Sequence, residues 1–245
     1  MNLRYGSEEA IEFSEEVHRV LAVESYKSSI NLAKERGCFP IWDYEKEKEN
    51  PFIQRITLHL GHKGLSDYKK YGRRNIANLT IAPTGSSSIL TQTTSGIEPC
   101  FQAYYKRRRK VNDKLKATFI DELGDMWEEY KVFHHKFVEW FKINVWNDLI
   151  HKSDRFNLLG NTPLECLNNL TKGQLEEFVK ESPYYKATSS DVDYIGKVEM
   201  QGKIQKWIDH SISVTVNMPE NVSEETVSQV YMKAYKCGCK GVSVS

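Results

Sequence analysis

The closing stretch SISVTVNMPENVSEETVSQVYMKAYKCGCKGVSVS, Ser211–Ser245, decides the fold class. SISVTVNMP reads as a strand, SEETVSQVYMKAYKCG as a helix with Ser223 at its N-cap and Gly238 near its end, and KGVSVS as a second strand. A helix between two strands at this spacing is a βαβ crossover, which implies parallel strands and an α/β fold. A last strand with nothing after it to cover it, and a long opening helix with no strand before it, are expected of a piece of something larger.

Outward from that unit, Ser7–Arg36 has a helical pattern with Ser7 as N-cap, Glu8 and Glu9 in the first turn, apolar positions at Ile11, Val17, Val20, Leu21 and Ile30, and Gly37 as the stop. CFPIWDYEKEKENPF leaves it through Pro40 as a charged loop before Pro51. A strand-like approach is expected over 73–82. FIDELGDMWEEYKVFHHKFVEWF reads as a hairpin turning at Gly124 and Asp125 and running into a helix. Thr171–Glu181 is a short helix with a Thr171–Gln174 capping box, stopped by Pro183, and 190–209 is another with Ile195, Val198, Ile204, Trp207 and Ile208 on its apolar side. No linker, repeat or low-complexity tract divides the chain, so 1–245 reads as one segment.

Composition is that of an ordinary globular protein, and a formal net charge of +1 gives no global field towards nucleic acid or acidic membranes. No apolar run reaches the roughly 18 residues of a membrane span, and MNLRYGSEEA has no signal-peptide core, so a cytoplasmic location and no membrane partner are expected. Five cysteines (Cys38, Cys100, Cys166, Cys237, Cys239) without framework spacing read as free thiols. The CGC at 237–239 lacks a second Cys or His pair at zinc spacing, and adjacent His134 and His135 point apart, so no metal site is expected. AYYKRRRKV could stack and neutralise single-stranded nucleic acid, but balanced charge and a strand-like context favour a solvated edge or a basic wall near a phosphate, and no nucleic-acid partner is expected.

Thr80–Pro99, TIAPTGSSSILTQTTSGIEP, holds nine Ser or Thr hydroxyls and two glycines. It reads as a buried strand at Leu79–Ala82 breaking at Pro83, a small polar loop, and a second apolar segment at Ile89 and Leu90. That layout suits an anion cradle: Gly85 turning with φ > 0, Thr84, Ser86, Ser87 and Ser88 small enough for successive N–H groups to face one ligand, and a helix starting near Ser88. A plain Ser-rich surface turn with an N-cap has the same composition. No Lys follows at the spacing of a Walker loop.

NLTIAPTGSSSILTQTTSGIEPCFQAYYKRR resembles the phosphate-loop signature of the ribonucleotide reductase large subunit. INLAKERGCFPIWD resembles the helix end before that loop, and KWIDHSISVTVNMPENVSEETVSQVYMKAYKCGCKGVSV the closing βαβ portion of the same catalytic barrel. The resemblance covers nearly the whole chain in the family's order. It implies the C-terminal portion of a ten-stranded α/β barrel, incomplete by itself, with the phosphate loop at 80–100 and the closing βαβ unit at 210–245. It further implies reduction of ribonucleotides to 2′-deoxyribonucleotides by radical chemistry, hence deoxyribonucleotide supply for DNA replication. Pro83, Thr84, Gly85, Ser86 and Ser87, with Ser88 next in the loop, would hold the phosphates of a ribonucleoside di- or triphosphate.

In that family the thiyl-radical cysteine and its Asn and Glu, in an N-P-C-x-E pattern, and the redox cysteines belong to an N-terminal half, and this sequence holds no such pattern. No catalytic residue is therefore expected here, and the chain alone is expected to be inactive. Val242, Ser243 and Val244 stand where iron-dependent members carry two adjacent tyrosines, so the resemblance is strongest to the adenosylcobalamin-dependent reductases, whose cofactor generates the radical. A fragment of an iron-dependent large subunit and a non-catalytic nucleotide-binding remnant are the alternatives.

Overall fold

In a computed structural model that describes residues 3–148 and 160–245, the elements in chain order begin with helices α1 (Glu8–Arg36), α2 (Tyr44–Glu47), α3 (Pro51–Thr57), α4 (Gly61–Tyr71) and α5 (Gly85–Thr91). Then come strands β1 (Tyr104–Lys110), β2 (Phe119–Ile120) and β3 (Met126–Phe133), and helix α6 (His135–Phe141), which continues as one wide π-turn over Lys142–Trp146. Helices α7 (Pro163–Asn169), α8 (Lys172–Glu181) and α9 (Tyr194–Gln205), strand β4 (Thr215–Val216), helix α10 (Glu224–Lys236) and strand β5 (Ser243–Val244) follow. They form two compact units. One holds Gly85–Ser95 and Pro99–Asp191; the other holds Tyr5–Thr84, Gly96–Glu98 and Val192–Ser245.

The second of these contains the predicted crossover. Ser223 caps α10 by accepting from the Thr226 amide at 3.2 Å, and β4 and β5 pair in parallel, Thr215 with Ser243 and Val216 with Val244. Val198, Val216, Val230 and Ala234 are buried together beneath the crossover. Gly202 sits where α9 meets the end of α10: a Cβ there would lie 2.6 Å from Cys237 Cβ, so only glycine permits the approach. The two-stranded β4–β5 sheet is open, as a portion of a barrel requires.

Helix α1 begins and ends as its caps dictate, with Ser7 accepting from Ala10 N and Gly37 at φ 80° returning its N–H to Ala33 O. Its buried face differs from the predicted one. Of the predicted positions Ile30 is buried, but Val20 and Leu21 are 45% and 52% exposed, and Ala22, Val23, Tyr26 and Ala33 are buried instead. Ala22, Val23, Tyr26 and Ile30 pack against Ile53, Ile56, Leu60 and Tyr68, so the helices that follow α1 rather than its most apolar stripe select the face. The charged loop is also more structured than expected. Asp43 caps α2, and Asn50 followed by Pro51 starts α3, a capping residue with proline in the first turn. Ile53, Ile56, Leu60 and Tyr68 from this region join Tyr26, Ile30 and Trp207 in one core.

Beside that core lies a buried polar cluster. Glu47 pairs with Arg73, accepts from Trp42 Nε1 at 3.0 Å and from the Tyr68 hydroxyl, while Arg73 also donates to Asn75 O at 2.6 Å. Burial alone would raise the Glu47 carboxyl, but the hydrogen bonds from Arg73, Tyr68 and Trp42 prevail and hold it below the usual range. The predicted strand over 79–82 is reduced to one parallel bridge, Ile81 to Ile212, because Pro83 removes the next donor.

In the other unit, β1, β3 and β2 form an antiparallel sheet in the order β1-β3-β2, with Gly124 at φ 83° in the predicted turn. Thr171 and Gln174 form the predicted capping box at the start of α8. Phe133, Phe137, Phe141, Trp146, Leu167 and Leu175 make the core.

Glu47→Gln leaves the buried Arg73 charge uncompensated, so it is expected to lower stability at neutral pH by about 3 kcal/mol. Because the folded-state pKa is depressed, the carboxylate's contribution is present above roughly pH 4 and lost as pH falls through that lowered value. Urea unfolding between pH 3 and 7 should therefore be steeper in pH for the wild type than for the variant. Parallel curves would refute the role given to Glu47.

Candidate functional site

The hydroxyl stretch enters from residues 78–82, which Asp209 anchors. Its carboxylate accepts from the amides of Asn78 at 2.7 Å and Leu79 at 2.9 Å and from the Tyr26 hydroxyl at 2.9 Å. Burial pushes the Tyr26 phenol far up, so it stays protonated and donates. The chain then runs parallel to 210–213, with His210 N donating to Leu79 O at 3.0 Å and Ser213 N to Ile81 O at 2.8 Å.

The return from the stretch is held as firmly. Gly96 adopts φ 56°, and a Cβ there would lie 3.3 Å from Ile81 Cγ2 and 3.6 Å from Ala82 O, so both dihedral and space call for glycine. Its N–H donates to Thr84 Oγ1 at 3.2 Å, tying exit to approach. The Tyr5 hydroxyl donates to Ile97 O at 2.6 Å. Glu98 accepts from Thr215 N at 2.7 Å and from Lys197 Nζ at 2.6 Å, and Lys197, 4% exposed, also donates to Thr215 O. The neighbouring carbonyls of Val214 and Val216 face β5, so the N–H and C=O of Thr215 face away from it. The Glu98–Lys197 pair therefore takes the place of a rung that a further strand would fill.

Of the predicted phosphate-binding residues, Pro83 and Thr84 end the segment Tyr5–Thr84 of one unit, and Gly85, Ser86, Ser87 and Ser88 open the segment Gly85–Ser95 of the other. Helix α5 starts at Gly85, earlier than the expected start near Ser88, and Gly85 is not in the positive-φ region that the sequence suggested. A Cβ on Gly85 would meet nothing within 4 Å, so the fold itself does not demand glycine there. Ser86 and Ser87 are exposed, whereas Ser88 is buried and gives its hydroxyl proton to Gly85 O at 2.7 Å. Ile89 and Leu90, read as a second apolar segment, are exposed.

The basic strand is paired across its own sheet. Arg108 meets Glu129 at 2.7 Å, Arg109 meets Glu128 at 2.7 Å and Lys110 meets Asp125 at 2.6 Å, which is the arrangement of a solvated edge. All five cysteines are free. Burial pushes the Cys100 thiol up to about 11, and burial with the nearby Cys237 does the same for Cys239, so neither supplies a thiolate at neutral pH. His134 is half-buried against the Tyr184 hydroxyl at 2.8 Å, and burial lowers its pKa. Among the described residues no three His, Cys, Asp or Glu side chains converge to hold a metal ion. Asp209, Glu98 and Lys197 drew no role from the sequence, although Glu98 lies within the quoted SGIEP motif and was the available signal.

Comparison with known proteins matches residues 1–245 to the ribonucleotide reductase, barrel domain family. The vitamin B12-dependent ribonucleoside-diphosphate reductase of Thermoplasma acidophilum is 28% identical over 100% of this chain and 26% of its own length. The ribonucleoside-diphosphate reductase subunit alpha of Chlamydia pneumoniae is 25% identical over 98% of this chain and 22% of its own. Among solved structures, the Actinobacillus ureae class Id ribonucleotide reductase alpha subunit superimposes with a TM-score of 0.54 at 18% identity, covering 100% of this chain and 36% of that one. The chain thus spans about a quarter of the length of the curated relatives it matches.

The two glycines of the stretch are expected to respond differently. Gly96→Ala should lower the thermal midpoint, at a cost of about 1–3 kcal/mol for strained backbone, whereas Gly85→Ala should leave it unchanged or slightly raised. Equal loss in both variants would overturn the assignment of Gly96 as the structural glycine.

Proposed function

The chain belongs to the ribonucleotide reductase family as part of its barrel domain, and from that membership we propose that residues 80–100 hold the phosphates of a ribonucleotide during its conversion to a 2′-deoxyribonucleotide. Pro83 sets the turn, and Thr84, Gly85, Ser86 and Ser87 offer backbone N–H and hydroxyl donors to a ribonucleoside di- or triphosphate. Ser88 follows them and braces the turn by its bond to Gly85 O. The observation that carries this reading is Gly85, a bare residue in open space where the fold does not need one; close approach of a ligand to the backbone is a reason for glycine there.

The chain's own task is to bind and orient: Asp209 fixes the approach to the loop, and Glu98 with Lys197 fixes the return. The radical cysteine and the redox cysteines are assigned to an N-terminal part of the enzyme, and this chain contributes no catalytic residue. Relatives named as vitamin B12-dependent support adenosylcobalamin as the radical source of the complete enzyme. The described residues include no three-ligand metal cluster. A fragment of an iron-dependent class I large subunit is the second reading, in keeping with relatives named ribonucleoside-diphosphate reductase subunit alpha. No helix among the described residues is long and apolar enough to cross a membrane, and we assign the enzyme to the cytoplasm, supplying deoxyribonucleotides for DNA replication.

The test is reduction of ribonucleoside di- and triphosphates by the chain mixed with a separately expressed N-terminal part, adenosylcobalamin and a dithiol. Activity is expected only in the mixture, and Ser86→Ala and Ser87→Ala should each raise KM about tenfold, as loss of one charge-assisted bond of roughly 1.5 kcal/mol requires. No turnover in any mixture, with substrate still bound, would leave a nucleotide-binding module without chemistry.

A further inference from the structure

Strand β1 is the outer strand of the β1-β3-β2 sheet, and its residues from Tyr105 to Lys110 are all exposed. The rungs at its two ends fix which main-chain groups are left over. His134 N donates to Ala103 O at 2.9 Å, and Val111 N donates to Met126 O at 2.9 Å. Because antiparallel rungs alternate, Tyr105, Arg107 and Arg109 also spend their N–H and C=O groups on β3, and Lys106, Arg108 and Lys110 turn theirs away from it. Among the described residues no strand pairs with that outer side.

The side chains along the open edge are five successive cations, Lys106 to Lys110. The hairpin answers them only in part. Glu129 serves both Arg108 at 2.7 Å and Lys106 at 3.7 Å, Arg109 has Glu128 and Lys110 has Asp125. Arg107 stands opposite Tyr130 and has no carboxylate among the described residues. Lys106 stands opposite a further cation, Lys131, whose ammonium donates to the carbonyls of Asn168 and Leu170. The edge therefore joins unpaired peptide groups to an excess of positive charge.

Cations on an outer strand keep copies of that strand apart, and the same charges favour a strand of opposite sign. We propose that β1 is a docking edge for an extended acidic segment of another protein, added beside it as a fourth strand. The incoming main chain bonds to the outward N–H and C=O groups of Lys106, Arg108 and Lys110, and its carboxylates meet Arg107 and the shared cations. Each half of this recognition excludes a competitor. A second copy of β1 would set cation against cation, and a nucleic acid has no main chain with which to continue the ladder. No residue of 80–100 takes part, so the site stands independently of the phosphate reading.

The test is fluorescence anisotropy of the 245-residue chain with a labelled peptide of alternating Glu and Val. The same peptide N-methylated throughout and a labelled oligothymidylate of equal charge are separate arms. The unmethylated peptide should bind at least about tenfold more tightly than either, and less tightly as salt is raised. Arg107→Gln should weaken it about tenfold, the loss of one charge-assisted contact, and should unfold at the wild-type temperature because Arg107 makes no ion pair in the sheet. Lys106→Pro removes an outward N–H without touching a rung to β3, so it should weaken binding about tenfold beyond Lys106→Gln, which removes the charge alone. Should the proline variant fail to fold, the methylated peptide asks the same question of the intact chain. Equal affinity for the methylated peptide or the oligothymidylate, unchanged binding by Arg107→Gln, or no binding of the Glu and Val peptide at millimolar concentration would each overturn the proposal.

Discussion

A single carboxylate governs how the chain comes back from the hydroxyl stretch. Glu98 bonds to the Thr215 amide and to Lys197, and Lys197 in turn bonds to the Thr215 carbonyl. A lysine buried to this degree is costly without a partner, so the pair is held to one geometry more firmly than its net energy suggests. Because the two side chains satisfy the outward N–H and C=O of β4, they end the sheet at that rung while leaving room for the turn at Gly96. Alternatives to this local arrangement would bury an unpaired charge or an unbonded peptide group.

Asp209 complements it on the approach. Its two oxygens collect two successive amides and a phenol, which fixes where residue 79 begins to run beside 210–213. Approach and return are thus each tied by an acid to the same β-segment, and the Gly96–Thr84 bond joins them directly.

Caps and crossovers were legible in the sequence because they depend on neighbours a few residues apart. Ser7, Ser223, the Thr171–Gln174 box and the turn at Gly124 all stand where their residue types place them. The buried face of α1 was not fully legible, since Val17, Val20 and Leu21 form a stripe more apolar than Ala22 and Tyr26, and the packing of the α3–α4 region decides between them. Helices α3 and α4 were hidden by the charge of their surroundings, although Asn50–Pro51 carried the signal. In the hydroxyl stretch the sequence identified the residues but misjudged Gly85, whose conformation is ordinary; composition could not tell a glycine required by its dihedral angle, as Gly96 is, from one that is bare for another reason. Glu98 and Asp209 could not be joined to their partners from the sequence, because Glu98 lies 99 residues from Lys197 and Asp209 lies 183 from Tyr26.

The separation between Asp209 and the amides it holds also sets an order of events during synthesis. Leu79 and Asp209 are 130 residues apart, and β4 must wait for β5 at the other side of α10 before its parallel ladder can form. Contacts of such long range make folding slow, since the intervening chain must be confined before any bond rewards it. At roughly 5–20 residues per second, the ribosome delivers residue 79 several seconds or more before its anchor exists. Until then α1 has no α9 to cover it, and the nascent segment is a natural client for chaperones.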